Sequence, residues 1–125
     1  MKLRFISPRI HGILDYAAAV GLIVLPFILS LADTSMLAHW LSVAAGFGLI
    51  AYSLATDYAF GATGLLPFGV HLAFDLAAAL VFALAPFVFG WSGLVLGYYL
   101  AMAAGVLLVV AASDTSSDAD SAVIH

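Results

Sequence analysis

The sequence predicts an all-α membrane protein with four transmembrane helices, arranged as two tandem helical hairpins with a parallel pseudo-two-fold repeat. Three observations predict this fold class. The 125 residues are 66% hydrophobic and 8% charged, whereas soluble domains are about 45–50% apolar and about 25% charged. Four apolar segments follow one another with short loops between them. The two halves of the chain also share a pattern of residues at a spacing of 60 positions.

Each apolar segment is long enough to cross a bilayer, since about 20 helical residues at about 1.5 Å each span the hydrocarbon core of about 30 Å. The four predicted spans cover approximately 10–31, 37–59, 69–89 and 93–112. We expect one transmembrane domain over 1–112, built from repeat units of about 1–60 and 61–112. Residues 113–125 form an acidic polar tail.

The repeat is clearest in the first helix of each half. Residues 10–30 align with 70–90, and the His, the Asp, three Ala, the Pro and the Phe coincide. Because each unit contains two spans, both units enter the membrane in the same direction, and an axis along the membrane normal relates them. The second helices of the two halves match less well at this spacing.

Small residues at four-residue spacing predict close helix packing, because they let helix backbones approach one another in lipid. The fourth span has three of them in a row, and the first and second spans have one pair each. The positions are Gly97, Ala101 and Gly105; Ala44 and Gly48; and Ala17 and Gly21.

The basic residues predict the orientation of the chain in the membrane. Lys2, Arg4 and Arg9 all precede the first span, and the chain has no other Lys or Arg. By the positive-inside rule the N-terminus is cytoplasmic, and an even number of spans returns the C-terminus to the same side. The expected partner is the lipid bilayer, and this distribution of charge excludes a nucleic-acid-binding surface. The absence of Cys excludes disulfides and thiolate metal sites.

Two His-x3-Asp pairs are the candidate functional residues. His11 and Asp15 share one face of the first helix, and His71 and Asp75 share the equivalent face of the third. Ionisable side chains within membrane spans indicate a functional site. Two imidazoles and two carboxylates form a suitable tetrahedral set for a divalent metal such as zinc.

Three further charged residues are predicted to support these four side chains. Asp57 and Asp114 close the second and fourth spans at the same predicted depth, and they are candidate partners of the metal-binding His side chains. Arg9 precedes the first pair and is a candidate to neutralise one carboxylate.

The sequence leaves several functions open for this non-enzymatic protein. His11 and His71, at equal depth on related helices, also suit bis-imidazole ligation of haem b. Alternating protonation of His and Asp suits an oligomeric ion or proton carrier. The four side chains could instead form a hydrogen-bonded network that fixes helix register without any ligand. An accessory or structural subunit of a larger membrane complex, or a homo-oligomer, is a further alternative.

Several stretches resemble one known family. They are Pro8–Tyr16, Leu25–Phe27, Tyr52–Tyr58, His71–Asp75 and Ala85–Gly90. Together they resemble the SPW-repeat family of small bacterial membrane proteins, although the positions of the family's Ser-Pro-Trp read Leu25-Pro26-Phe27 and Ala85-Pro86-Phe87 here. The resemblance implies a bacterial inner-membrane protein made of two tandem two-helix units. It implies no established activity.

Overall fold

The computed structural model describes residues 5–57 and 60–113, and this part of the chain is helical and without strands. The four helices are α1 (Pro8–Ile28), α2 (Met36–Ala55), α3 (Phe68–Phe89) and α4 (Gly93–Ala112). All four are long and apolar enough to cross a membrane. The structure therefore confirms the predicted fold class. The acidic tail predicted from position 113 lies, apart from Ser113, outside the described residues.

Local sequence signals explain where the helices begin and end. The hydroxyl of Ser7 accepts a hydrogen bond from the backbone N–H of Ile10, and Pro8 follows at the first helical position. Ser35 caps α2 in the same way. At the other ends, Ser30 and Gly90 adopt left-handed backbone conformations, with φ of 54° and 70°.

Two helices are shorter than predicted. α1 ends at Ile28 rather than at position 31, because Ser30 turns the chain into the short 3-10 helix Leu31–Asp33. α2 ends at Ala55 rather than at position 59, because Thr56 adopts an extended conformation. Hydrophobicity alone does not show these ends, since the residues after them are still largely apolar.

The helices pack mainly within each hairpin, α1 against α2 and α3 against α4, and the two hairpins contact each other less. The largest fully buried side chain is Tyr99, whose ring stacks on Phe82 at a centroid distance of 4.5 Å. The hydroxyls of Ser42 and Tyr98 lie 2.7 Å apart in the same core. These contacts tie α2, α3 and α4 together in the half of the bundle away from the His–Asp pairs.

The repeat extends to the second helices once a different spacing is used. Ser35 and Ser92 precede α2 and α4, and Thr56 and Ser113 follow them. Both pairs are 57 positions apart rather than 60. The 3-10 helix Leu31–Asp33, three residues long, accounts for the difference. The weaker match of the second helices thus reflects a longer loop in the first hairpin.

The predicted small-residue contacts are wrong at three glycines, Gly48, Gly97 and Gly105. A Cβ built at any of them would meet no atom of the described chain within 4 Å. Close approach occurs instead at Gly46, where a Cβ would lie 2.7 Å from Ile23 Cγ1 and 2.9 Å from the carbonyl oxygen of Ala19. The spacing of small residues did not show which face of α2 meets α1.

Gly46→Ala is expected to lower the free energy of unfolding by about 1–3 kcal/mol, because the added methyl group overpacks the contact between α1 and α2. Gly48→Ala is the matched control on the same helix, and we expect it to raise stability by up to about 1 kcal/mol through helix propensity. Unfolding in detergent, followed by circular dichroism, measures both. Equal stability of the two variants would contradict the packing of α1 on α2 described here.

Candidate metal centre

The structure brings the two His-x3-Asp pairs together between the hairpins. His11, Asp15, His71 and Asp75 are all buried. The two imidazole rings meet edge to face at a centroid distance of 5.3 Å. Phe68 packs against His11 at 5.1 Å and covers the cluster with apolar surface. We call these four side chains the His–Asp cluster.

Each imidazole contacts a carboxylate from both hairpins. His11 Nε2 lies 2.9 Å from Asp75 Oδ2 and 3.1 Å from Asp15 Oδ1. His71 Nε2 lies 2.9 Å from Asp15 Oδ2 and 3.4 Å from Asp75 Oδ2. A single N–H cannot point well at two acceptors at once. Two separate His–Asp hydrogen bonds would need only one carboxylate near each imidazole. Here both carboxylates lie near both imidazoles, so the four groups surround a common centre.

The size of the cluster suits one metal ion. One ligand atom from each residue can be chosen so that all four lie within 4.8 Å of one another. Bonds of about 2.0–2.2 Å in a tetrahedral zinc site put neighbouring ligand atoms about 3.3–3.6 Å apart. The N–O distances in the cluster run from 2.9 to 3.4 Å. These N–O contacts are close to the tetrahedral spacing, and ligand atoms as far apart as 4.8 Å would have to draw together by about 1 Å around the ion.

Two hydroxyls set the orientation of the imidazoles. His11 Nδ1 lies 2.7 Å from Ser113 Oγ, and His71 Nδ1 lies 2.8 Å from Thr56 Oγ1. Each hydroxyl donates its own proton to a backbone carbonyl four residues earlier in its helix. Each hydroxyl therefore accepts a hydrogen bond from Nδ1–H, and Nε2 of each ring faces the carboxylates. Metal-binding His side chains in proteins are oriented in this way.

The backbone holds the two hydroxyls in equivalent places. The N–H of Ile6, just before α1, donates to the carbonyl of Ala112 at the end of α4 over 2.9 Å. The N–H of Leu66, just before α3, donates to the carbonyl of Ala55 at the end of α2 over 2.8 Å. Thr56 of the first hairpin thus orients His71 of the second, and Ser113 of the second hairpin orients His11 of the first.

Tyr52 joins the cluster from one side. Its hydroxyl donates to Asp75 Oδ1 over 2.6 Å, which leaves Oδ2 directed at the imidazoles. The equivalent position in the second hairpin is Val109, so this contact breaks the pseudo-symmetry. Tyr52 was not among the predicted site residues, because a Tyr near the end of a span is more typical of the membrane interface.

The predicted supporting residues are corrected in part. Arg9 is exposed, because two positions along a helix carry it to the face opposite His11. Asp57 is also exposed, since the chain leaves α2 before it. Asp114 lies outside the described residues. Among the described residues, the groups that contact the imidazole Nδ1 atoms are Thr56 and Ser113, the residues immediately before the two predicted Asp.

No protein-family model, curated protein or solved structure matches this chain, so comparison with known proteins assigns neither a family nor a function. The resemblance to the SPW-repeat family stays a prediction. The function must therefore be argued from the site itself.

Haem does not fit the cluster as the structure has it. A bis-imidazole haem needs a flat porphyrin around the iron between the two Nε2 atoms. Carboxylate oxygens of Asp15 and Asp75 occupy this space, at 2.9 to 3.4 Å from the Nε2 atoms. The bis-His haem alternative therefore requires that the contacts of both Asp side chains be broken.

Charge balance limits what the cluster can contain. Two carboxylates are buried side by side, and the only cationic groups in the cluster are imidazoles. Buried charge is costly unless it is compensated. Two buried negative charges are compensated either by one divalent cation with neutral imidazoles or by two protons that are held on the imidazoles or shared with the carboxylates. The first arrangement is a metal site, and the second is a closed ion-pair network.

Proposed function

We propose that this protein is a non-enzymatic membrane protein that binds one divalent transition-metal ion between its hairpins. The ligands are His11 Nε2, His71 Nε2 and one oxygen each of Asp15 and Asp75. The observation that carries the proposal is the convergence of these buried atoms within 4.8 Å. The outward hydrogen bonds of both Nδ1 atoms support it, since they direct Nε2 of each ring towards the centre.

The donor set favours zinc. Two imidazoles and two carboxylates suit zinc and its first-row neighbours, whereas Mg²⁺ and Ca²⁺ prefer oxygen ligands alone. Four protein ligands complete a tetrahedral shell and leave no position for a substrate. This argues for a structural or storage role of the ion rather than catalysis. One such ion also neutralises both carboxylates.

We place the protein in the bacterial inner membrane, with both termini cytoplasmic. All three basic residues lie before α1 or in its first turn, which supports this orientation. His11 and His71 lie in the first turns of α1 and α3, so the proposed metal site faces the cytoplasmic side. The ion would then join the two hairpins near that surface.

Elemental analysis of protein purified without a metal-affinity tag tests the proposal. We expect about one zinc, or another first-row metal, per chain. The variant His11→Gln/His71→Gln should lose it. His39→Gln is the matched control, since His39 is equally buried but packs against Phe27 and Trp40 in the other half of the bundle.

Titration with Co²⁺ gives a second readout, because a tetrahedral site gives Co²⁺ strong visible absorption. We expect that absorption in the wild type and in His39→Gln, and not in the double variant. Folded wild-type protein that takes up neither Zn²⁺ nor Co²⁺ would overturn the metal proposal in favour of the closed ion-pair network.

A further inference from the structure

A cavity of about 480 Å³ lies beside the His–Asp cluster, between the two hairpins. All four helices contribute to its walls, which run from Asp15 to Leu22 on α1, about 10 Å along the helix axis. The polar side chains of its lining are Asp15, Tyr52 and Asp75, and these lie at one end. The rest of the lining is apolar and rich in Ala and Gly.

The small residues keep this volume open rather than bringing helices together. Gly48 and Gly105 line the cavity, and a Cβ at either would meet nothing within 4 Å in the described chain. Protein interiors rarely contain voids much larger than a water molecule. An apolar cavity of a few hundred Å³ with a few polar groups at one end is typical of a ligand site.

The polar end selects the chemistry of the ligand. The carboxylates of Asp15 and Asp75 offer acceptor atoms, and the Tyr52 hydroxyl gives its proton to Asp75. A head group that donates hydrogen bonds complements this end. A carboxylate or phosphate head would place acceptor oxygens against acceptor oxygens, and a carbonyl oxygen would do the same, since the Tyr52 proton is directed at Asp75.

We propose that the cavity binds a lipophilic molecule with a hydrogen-bond-donating head, an alcohol or an amine. The head lies at Tyr52 and Asp75, and the apolar body lies along the Ala- and Gly-rich walls towards Leu22. Exposed residues in the wall, among them Gly48 and Ala101, allow entry from the lipid. This site does not depend on the proposed metal, although both share two Asp side chains.

Photocrosslinking with three probes of one alkyl chain length tests this inference. The probes carry the same diazirine and differ in the head: hydroxyl, ammonium or carboxylate. In the purified protein, we expect the alcohol and the amine to label cavity-lining residues at least about tenfold more than the acid does. Mass spectrometry locates the labelled residues.

Two leucine variants of α4 provide matched controls. Gly105→Leu places a side chain in the cavity, whereas Gly97→Leu adds the same group at a position outside the lining. At both glycines the described chain leaves room for a Cβ, so both variants should fold. We expect Gly105→Leu to lose the labelling and Gly97→Leu to retain it.

Two outcomes would overturn the inference. If all three probes labelled the protein equally and Gly105→Leu did not change the labelling, bulk lipid would fill the cavity. No labelling of cavity-lining residues by any probe, in protein that runs as a dimer, would mean that a second copy of the chain covers the space. Metal content is measured on the same samples. Selective labelling without bound metal would support the cavity site alone, and bound metal without selective labelling would support the metal site alone.

Discussion

Asp75→Asn is expected to lower the free energy of unfolding of the metal-free protein by about 3–5 kcal/mol, the range for loss of one partner from a buried ion pair. Asp75 Oδ2 lies 2.9 Å from His11 Nε2, and Oδ1 accepts a hydrogen bond from Tyr52 over 2.6 Å. An amide brings donor hydrogens towards groups that are themselves donors, and it removes the charge that compensates the imidazoles.

Asp57→Asn is the matched control, since Asp57 is exposed just beyond the end of α2. We expect it to change stability by no more than about 0.5 kcal/mol. Unfolding in mixed micelles with increasing sodium dodecyl sulfate, followed by circular dichroism, gives the difference. If both variants unfold alike, Asp75 is not buried among the contacts described here.

A large effect of Asp75→Asn does not mean that the cluster exists for stability. Replacing a whole buried ion network by apolar side chains of similar volume is often neutral or stabilising. In lipid, however, apolar side chains gain little from facing one another rather than the hydrocarbon, so the stability that the cluster supplies does not distinguish a metal site from a closed ion-pair network. Metal content distinguishes the two, because only the metal site retains an ion in the purified protein.

The sequence alone predicted the four helices and the members of the cluster for a simple physical reason. A span must be long and apolar, and an ionisable side chain within one is conspicuous. The four-residue spacing places His11 with Asp15, and His71 with Asp75, on one helix face. The repeat then indicates that the two pairs occupy equivalent positions. These inferences use only the hydrophobicity of the segments and the spacing of residues.

The sequence did not predict the features that depend on where a helix ends or on which of its faces meets another helix. Thr56 and Ser113 orient the imidazoles, although Asp57 and Asp114 were the predicted partners. Whether Thr56 or Asp57 faces the imidazoles depends on the last turn of α2, which hydrophobicity does not define. Gly46 was missed in the same way, since composition marks many small residues but not the one that α1 contacts.

Thr56→Val/Ser113→Ala is expected to weaken zinc binding by about 10–100-fold for each hydroxyl removed, the usual cost of losing a partner that orients a metal-binding His. Neither residue contacts the proposed ion. Each accepts the Nδ1–H of one imidazole, at 2.8 and 2.7 Å, and so holds Nε2 towards the carboxylates. Without that acceptor, a neutral ring can carry its proton on Nε2 instead and lose its ligand lone pair.

Competition with a chromophoric zinc chelator measures the affinity, and ¹⁵N NMR of the imidazoles reports which nitrogen carries the proton. Thr34→Val is the control, because it removes an exposed Thr hydroxyl from the loop between α1 and α2. Since the two hydroxyls occupy equivalent places in the repeat, the single variants should weaken binding to a similar extent. Wild-type affinity in the double variant would show that the two hydroxyls do not orient the imidazoles for metal binding.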